Sequence, residues 1–325
     1  MNKLNLDKKA YSGSPSTLCK GCGHDSITSN LTTALYELSV DPGEVIKLSG
    51  IGCSSKTPNY FLDSSFGFNS LHGRMAPLAT GVNLSQPKAK LIGISGDGDT
   101  ASIGLGGFLH LVRRNVPIVY IIANNGVYGL TKGQFSATSH KDDVSKIKFE
   151  QHLPELDMAF QALSAGCTFV ARSFSGDNKQ LKNILKLALD HNGTAVIDIV
   201  SPCVVYGNHD GFSKSYTHTQ EINHPLHEID LINDGVAISE EHLKFKLVPL
   251  EEQNHDTSSL SQALELILKE KEDDILHTGL IYLDKSKPNL NEAYGFSDKD
   301  KFSLKEEDLR LSQENFDAFN SGALV

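Results

Sequence analysis

Two groups of residues have types and spacings that could do chemistry. Gly96-Asp-Gly98 is followed about one strand-helix-strand unit later by Asn124-Asn125. Glycines let a backbone approach phosphates, the Asp97 carboxylate and the Asn125 amide oxygen are hard oxygen ligands, and a helix start near Thr100 offers free N–H groups. The set suits a magnesium diphosphate. The backbone carbonyl of Val127, just beyond Asn125, completes the expected protein ligands. Alone, Gly-Asp-Gly-Asp is as well read as a tight glycine turn, and the asparagine pair downstream tips the balance. The second group is Cys19-Lys-Gly-Cys22-Gly-His24, two thiolates on a glycine-rich loop whose spacing lets both sulfurs face one metal centre. Cys53 and Cys203 add two more if the fold joins their loops. Zinc and iron–sulfur clusters use the same thiolates, so spacing leaves both open. Cys167, at a predicted strand start, reads as a buried bystander.

The elements that must position these residues alternate between strand and helix from about Asp25 to Val200, without internal repeats. Such alternation predicts an α/β fold, a mostly parallel sheet with helices on both faces. Strands are expected over residues 45–48, 89–94, 117–123, 167–171 and 195–200, and helices over 29–38 (capped by Asp25 or Ser26), 76–84, 102–114 and 179–190. In this reading Cys53, Asp97, Asn125 and Cys203 each follow the carboxyl end of a strand, the edge on which an open parallel sheet binds ligands. A nicotinamide-binding unit is disfavoured, because Gly104-Leu-Gly-Gly107 sits inside a helix and not at a strand end. We expect residues 1–240 to form this domain. Residues 241–325, with one amphipathic helix over 260–271 and a polar stretch from Lys285, read as a partly helical C-terminal extension that contacts a partner or stays mobile.

The chain has 325 residues, 39% of them hydrophobic, enough to bury a core. Lys and Arg number 30 against 40 Asp and Glu, a net charge of -10, which argues against a nucleic-acid or anionic-membrane binder. No apolar run reaches a membrane span and the first residues lack the apolar core of a signal peptide, so the chain reads as cytoplasmic. A reducing compartment leaves the five cysteines as thiols, which turns their clustering toward metal or catalysis.

The Gly-Asp-Gly and Asn-Asn pair resembles the signature of thiamine-diphosphate enzymes. Joined with Cys19-x-x-Cys-Gly-His24, Gly50-Ile-Gly-Cys53, Leu71-His-Gly-Arg74, Tyr128-Gly-Leu-Thr-Lys-Gly-Gln134 and Ser201-Pro-Cys203, it resembles the beta subunit of 2-oxoacid:ferredoxin oxidoreductases, most nearly the 2-oxoglutarate or broad-specificity two-subunit type. The resemblance covers about residues 15 to 215 and none of the tail beyond Glu240. It implies a thiamine-diphosphate-binding fold and coenzyme A-dependent oxidative decarboxylation of a 2-oxoacid, 2-oxoglutarate favoured and pyruvate allowed. Electrons would pass singly through a [4Fe-4S] cluster to ferredoxin. It implies that Cys19, Cys22, Cys53 and Cys203 hold the cluster and that Asp97, Asn125 and the Val127 carbonyl bind Mg²⁺. Ile51, Gly52, Cys53, Ser54, His72, Gly98, Asp99, Gly129 and Leu130 would line the cofactor. The activating glutamate would come from a partner alpha subunit, or alpha and gamma subunits, in a dimer of heterodimers.

His72, flanked by Gly73 and Arg74, is expected to help hold the diphosphate or the substrate carboxylate, against the plainer reading of a structural histidine. The resemblance implies that Lys56, otherwise read as a solvated lysine, and Leu130 help select the 2-oxoacid side chain; Lys132 is a further candidate for a distal carboxylate, beside the plain surface reading. The segment 206–213 reads as a plain loop, and His218 and His224 lack ligand spacing. Two rivals stand beside this reading: a non-redox thiamine-diphosphate decarboxylase or synthase with structural zinc, and a non-catalytic zinc module. The first usually carries its pyrimidine-binding domain on the same chain, for which this length leaves little room. The second leaves the Gly-Asp-Gly and Asn-Asn pair unexplained.

Overall fold

The computed structural model describes residues 1–250, 255–296, 305 and 310–322. Its centre is an eight-stranded sheet. In chain order the strands are β1 (Val45–Ser49), β2 (Phe66–Asn69), β3 (Lys90–Gly96), β4 (Ile118–Asn124), the short hairpin β5 (Val127–Tyr128) and β6 (Gln134–Phe135), β7 (Phe169–Phe174), β8 (Thr194–Val200), β9 (Asn223–Pro225), the ribbon β10 (His227–Leu231) and β11 (Phe245–Pro249), and β12 (Leu276–Leu283). Across the main sheet the order is β2-β1-β3-β4-β8-β7-β12-β9. All neighbours are parallel except β12 against β7.

Every residue of β4 and of β8 is buried, as expected of strands covered on both faces. Alternation assigns the faces. Val119, Ile121 and Ala123 meet Ile27, Leu31 and Leu35 of α1 (Gly23–Glu37) and Leu181, Ile184 and Leu185 of α5 (Asn178–Asp190). Ile118, Tyr120 and Ile122 point the other way, toward α2 (Met75–Ser85), α3 (Leu105–Arg113), α4 (Met158–Ser164) and α7 (Leu260–Asp273). Each fully buried Leu or Ile contributes roughly 1.5–3 kcal/mol. Cys167 is fully buried, in keeping with a packing role.

Three local expectations are corrected. The first helix begins at Gly23 with Cys22 as its N-cap and no side-chain cap, so neither Asp25 nor Ser26 starts it. Gly23 permits this because a Cβ there would lie 2.7 Å from Ser175 Oγ, so only glycine lets the helix start dock on that loop. The helix expected over 102–114 is split: a π-helical turn covers Gly98–Ile103 and α3 begins after it. Finally, residues 276–283, within the stretch expected as a C-terminal extension, form β12 inside the main sheet. Their polar half hid them from the sequence pattern: His277 donates to the Glu270 carboxylate, and Thr278 bonds Gln180 and Asn223. Much of the polar stretch beyond Lys285 lies outside the described residues.

Candidate functional site

Chain order places β2 on one side of β1 and β3 on the other, so the loops leaving the carboxyl ends of β1 and β3 diverge there and open a crevice. Cys53 follows β1, Asp97 follows β3, Asn125 follows β4 and Cys203 follows β8, all on this edge. A cleft of about 100 Å³ is bordered by Cys53, Asp97 and Asn125, and Cys203 does not line it. All the residues expected to line a cofactor, Ile51 to Ser54, His72, Gly98, Asp99, Gly129 and Leu130, border it, as do Asp97, Asn125 and Val127. Lys56 and Lys132 do not.

Asp97 is buried, and neighbouring donors fix its carboxylate. Oδ1 accepts from the Asn125 amide at 3.2 Å; Oδ2 accepts from Thr138 Oγ1 at 2.7 Å and from Ser136 Oγ. Asn125 Oδ1 accepts from the Val127 amide at 3.0 Å, and the Val127 carbonyl accepts from the Gly129 amide at 3.1 Å. Asp97 Oδ1, Asn125 Oδ1 and the Val127 carbonyl each accept one bond and retain a lone pair, whereas Asp97 Oδ2 already accepts two, and the donor set fits a hard divalent cation. Gly98 leaves the room that a phosphate needs: a Cβ there would lie 2.5 Å from the Tyr128 ring, whose hydroxyl donates to the Gly98 carbonyl at 3.1 Å. Asp99 has its own work, with Oδ1 accepting from the Gly73 amide at 2.6 Å and Oδ2 from Ser95 Oγ at 2.9 Å.

The cysteine loops meet beside this turn. The Gly23 amide donates to the Pro202 carbonyl at 3.4 Å and His24 Nδ1 lies 2.7 Å from Ser201 Oγ, which docks the loop carrying Cys19 and Cys22 onto the one carrying Cys203. The sulfurs of Cys53 and Cys203 lie 3.7 and 3.5 Å from the position a Cβ on Gly129 would take, so Gly129 leaves open the space between them. Burial, then the charges of Cys203 and Cys53, push the Cys22 thiol up to about 12. The Cys53 thiol is raised by burial and by Cys203, against a smaller lowering from the Lys56 ammonium. Thiols that repel each other's ionisation in this way fit a cationic metal centre that would offset them. Among the described residues no group of three His, Cys, Asp or Glu side chains is gathered tightly enough for a single metal ion.

Sequence reasoning named His24 and Tyr128 only as members of motifs, without a role, and passed over Ser136 and Thr138. His24 borders the cleft, and burial pushes it down to about 4 against the pull of Asp97, so its imidazole is neutral at physiological pH. Ser136 and Thr138 sit two apart after the β5–β6 hairpin, a spacing that places both hydroxyls on the side of Asp97. A larger cavity, about 610 Å³, lies on the far side of Asn124 and Thr138 and shares no lining residue with the cleft. Arg172 forms its wall, paired at 2.6 Å with both Asp157 and Glu270.

Residues 50–199 match the family described as thiamine pyrophosphate enzyme, C-terminal TPP binding domain. The 2-oxoacid:ferredoxin oxidoreductase subunit beta of Saccharolobus solfataricus is 42% identical over 191 residues, 58% of this chain and 63% of that protein. A beta subunit of Aeropyrum pernix is 43% identical over 59% of its own length, so the matched stretch spans about three fifths of these two relatives. The 2-oxoglutarate synthase subunit KorB of Methanocaldococcus jannaschii is 33% identical over 235 residues, 72% of this chain and 86% of that one. Among solved structures, 2-oxoglutarate:ferredoxin oxidoreductase from Magnetococcus marinus, described with 2-oxoglutarate, coenzyme A and succinyl-CoA bound, is similar at a TM-score of 0.76 and 30% identity, covering 92% of this chain and 94% of that chain. By this agreement of sequence, fold and cleft, the chain belongs to the beta subunits of the 2-oxoacid:ferredoxin oxidoreductase family.

Proposed function

We propose that this chain is the thiamine-diphosphate-binding and electron-transferring subunit of an enzyme that oxidatively decarboxylates a 2-oxoacid, 2-oxoglutarate before pyruvate, with coenzyme A and ferredoxin. The observation that carries the reading is one sheet edge on which the Asp97 turn and the cysteine loops adjoin, with Gly129 bordering the cleft and facing the sulfurs of Cys53 and Cys203. When bound, thiamine diphosphate supplies the electron sink that decarboxylation needs and an iron–sulfur cluster supplies a one-electron acceptor.

In this reading Asp97, Asn125 and the Val127 carbonyl hold Mg²⁺, and Cys19, Cys22, Cys53 and Cys203 hold a [4Fe-4S] cluster. The neutral His24 adds no charge between the two sites. His72, fixed by the bond from Gly73 to Asp99, stands where a diphosphate or a substrate carboxylate would be held. Leu130, which borders the cleft, is 55% exposed, and Leu71, next to His72, is 78% exposed. Such exposed apolar side chains support a partner alpha chain closing the site from outside. Among the described residues no helix is long and apolar enough to cross a membrane.

The test is metal content and visible absorption of the chain, co-produced with its alpha partner and purified without oxygen. About four irons per chain and a brown colour that bleaches on adding 2-oxoglutarate and coenzyme A are expected. Stoichiometric zinc in a colourless protein would overturn the redox reading.

A further inference from the structure

Asn124 and Asn125 are consecutive at the end of β4, so their side chains point to opposite sides: Asn125 borders the cleft and Asn124 the larger cavity. Asn124 Nδ2 donates to Asp198 Oδ1 at 2.9 Å, and Asn124 Oδ1 lies 2.9 Å from Thr138 Oγ1. The same Thr138 oxygen is 2.7 Å from Asp97 Oδ2. All four side chains are buried. A hydroxyl has one proton to give, so Thr138 serves Asp97 or Asn124 at any moment and not both. The ionised Asp198, beside Arg172 with Nε 3.9 Å away, only accepts. This turns the Asn124 amide so that its NH₂ faces Asp198 and its oxygen faces Thr138.

We infer that Thr138 and Asn124 are positioning residues for the cation site at Asp97. Without a cation, the Thr138 hydroxyl donates to the Asp97 carboxylate beside Ser136. A divalent cation on Asp97 takes over the lone pair to which that proton pointed. Asn124 Oδ1 is the second acceptor to which the hydroxyl turns, so the cation arrives without leaving a buried O–H unbonded. Loading Asp97 is thereby coupled to a row of side chains that ends at Asp198 and Arg172, on the wall of the larger cavity. This rests on the assignment of Mg²⁺ to Asp97.

The experiment measures, by calorimetry on the assembled enzyme stripped of divalent ions, the Mg²⁺ concentration that half-saturates thiamine-diphosphate binding. Asn124→Leu is expected to raise it about 10- to 100-fold, as loss of an outer-sphere partner does, whereas Thr138→Val, which removes the proton that competes with the cation for Asp97, is expected to lower it. Thr138→Ser keeps the hydroxyl and is expected to behave as the parent. In the double variant the Asn124→Leu effect vanishes, because no hydroxyl is left to redirect. If Asn124→Leu fails to fold, Thr138→Val against Thr138→Ser decides alone. An unchanged or raised Mg²⁺ requirement in Thr138→Val overturns the inference while Asp97→Ala still abolishes binding. If Asp97→Ala also binds as the parent, the Mg²⁺ assignment falls and the coupling falls with it.

Discussion

The Asp99 carboxylate accepts the backbone amide of Gly73 at 2.6 Å and so ties the loop carrying His72 to the turn that carries Asp97. Gly73 has a φ of 66°, and a Cβ there would lie 2.7 Å from Ile103 Cγ2, so the close approach requires glycine. Asp99 thus acts on the cofactor cleft through a loop as well as by lining it. Removing a charged acceptor costs about 1.5–3 kcal/mol. Asp99→Ala is expected to weaken thiamine-diphosphate binding about 10- to 100-fold, by that energy, with iron content unchanged. Parental affinity in a folded Asp99→Ala protein would show that the loop holds its place without this bond.

Gly98 and Tyr128 are coupled by space. A methyl group on residue 98 would meet the Tyr128 ring at 2.5 Å, and the ring is itself held by its hydroxyl on the Gly98 carbonyl. Overpacking of this kind costs about 1–3 kcal/mol. Gly98→Ala is expected to destabilise by that amount in the parent and by much less in a Tyr128→Ala background. Equal losses in both backgrounds, measured by urea unfolding, would mean that the ring is not what Gly98 accommodates.

The strand ends are legible in the sequence because β1, β3, β4 and β8 are short, largely apolar runs that stop at glycine or polar residues, which puts Cys53, Asp97, Asn125 and Cys203 on one edge. Thr138 was not legible, since its partner Asp97 is 41 residues away and only the return of the hairpin brings them together. The same holds for the pairing of Arg172 with Glu270, 98 residues further along the chain on α7. Asn124 was read as one half of a motif, whereas strand alternation gives its two asparagines different neighbours. Lys56 stood near Cys53 in sequence, but its side chain does not border the cleft.

Arg172 joins three buried or half-buried carboxylates: Asp157, which caps α4 through the Phe160 amide, Glu270 of α7 and, at 3.9 Å, Asp198 of β8. Those charges hold its guanidinium protonated in spite of burial. Arg172→Met would leave the carboxylates with no cation among them and is expected to destabilise by about 3–5 kcal/mol. The loss should shrink as pH falls and the orphaned carboxylates protonate. A variant within about 1 kcal/mol of the parent at neutral pH would show that the cluster is replaceable by packing.

His227 gives the fold a pH dependence of known sign. The Leu280 amide donates to its Nε2 at 3.1 Å, which requires that nitrogen to carry no proton and ties β12 to the strand of His227. Burial, with His255 nearby, pushes His227 down to about 4, and burial together with Lys285 does the same to His191. Between about 4 and 6.5 the unfolded chain therefore binds protons that the folded chain refuses. This stability is fully present above about 6.5 and is lost as pH falls toward 4, at up to about 1.4 kcal/mol per pH unit for each histidine. Asp198 runs the other way: burial raises it to about 6, so its contribution is present below the ordinary Asp range and is lost as pH rises through 6. It offsets about one histidine in that window. His227→Gln keeps an acceptor for Leu280 and cannot titrate, so urea unfolding from pH 7 to 5 should lose about one histidine's share of the slope. A slope equal to the parent's would mean that His227 protonates without disturbing β12.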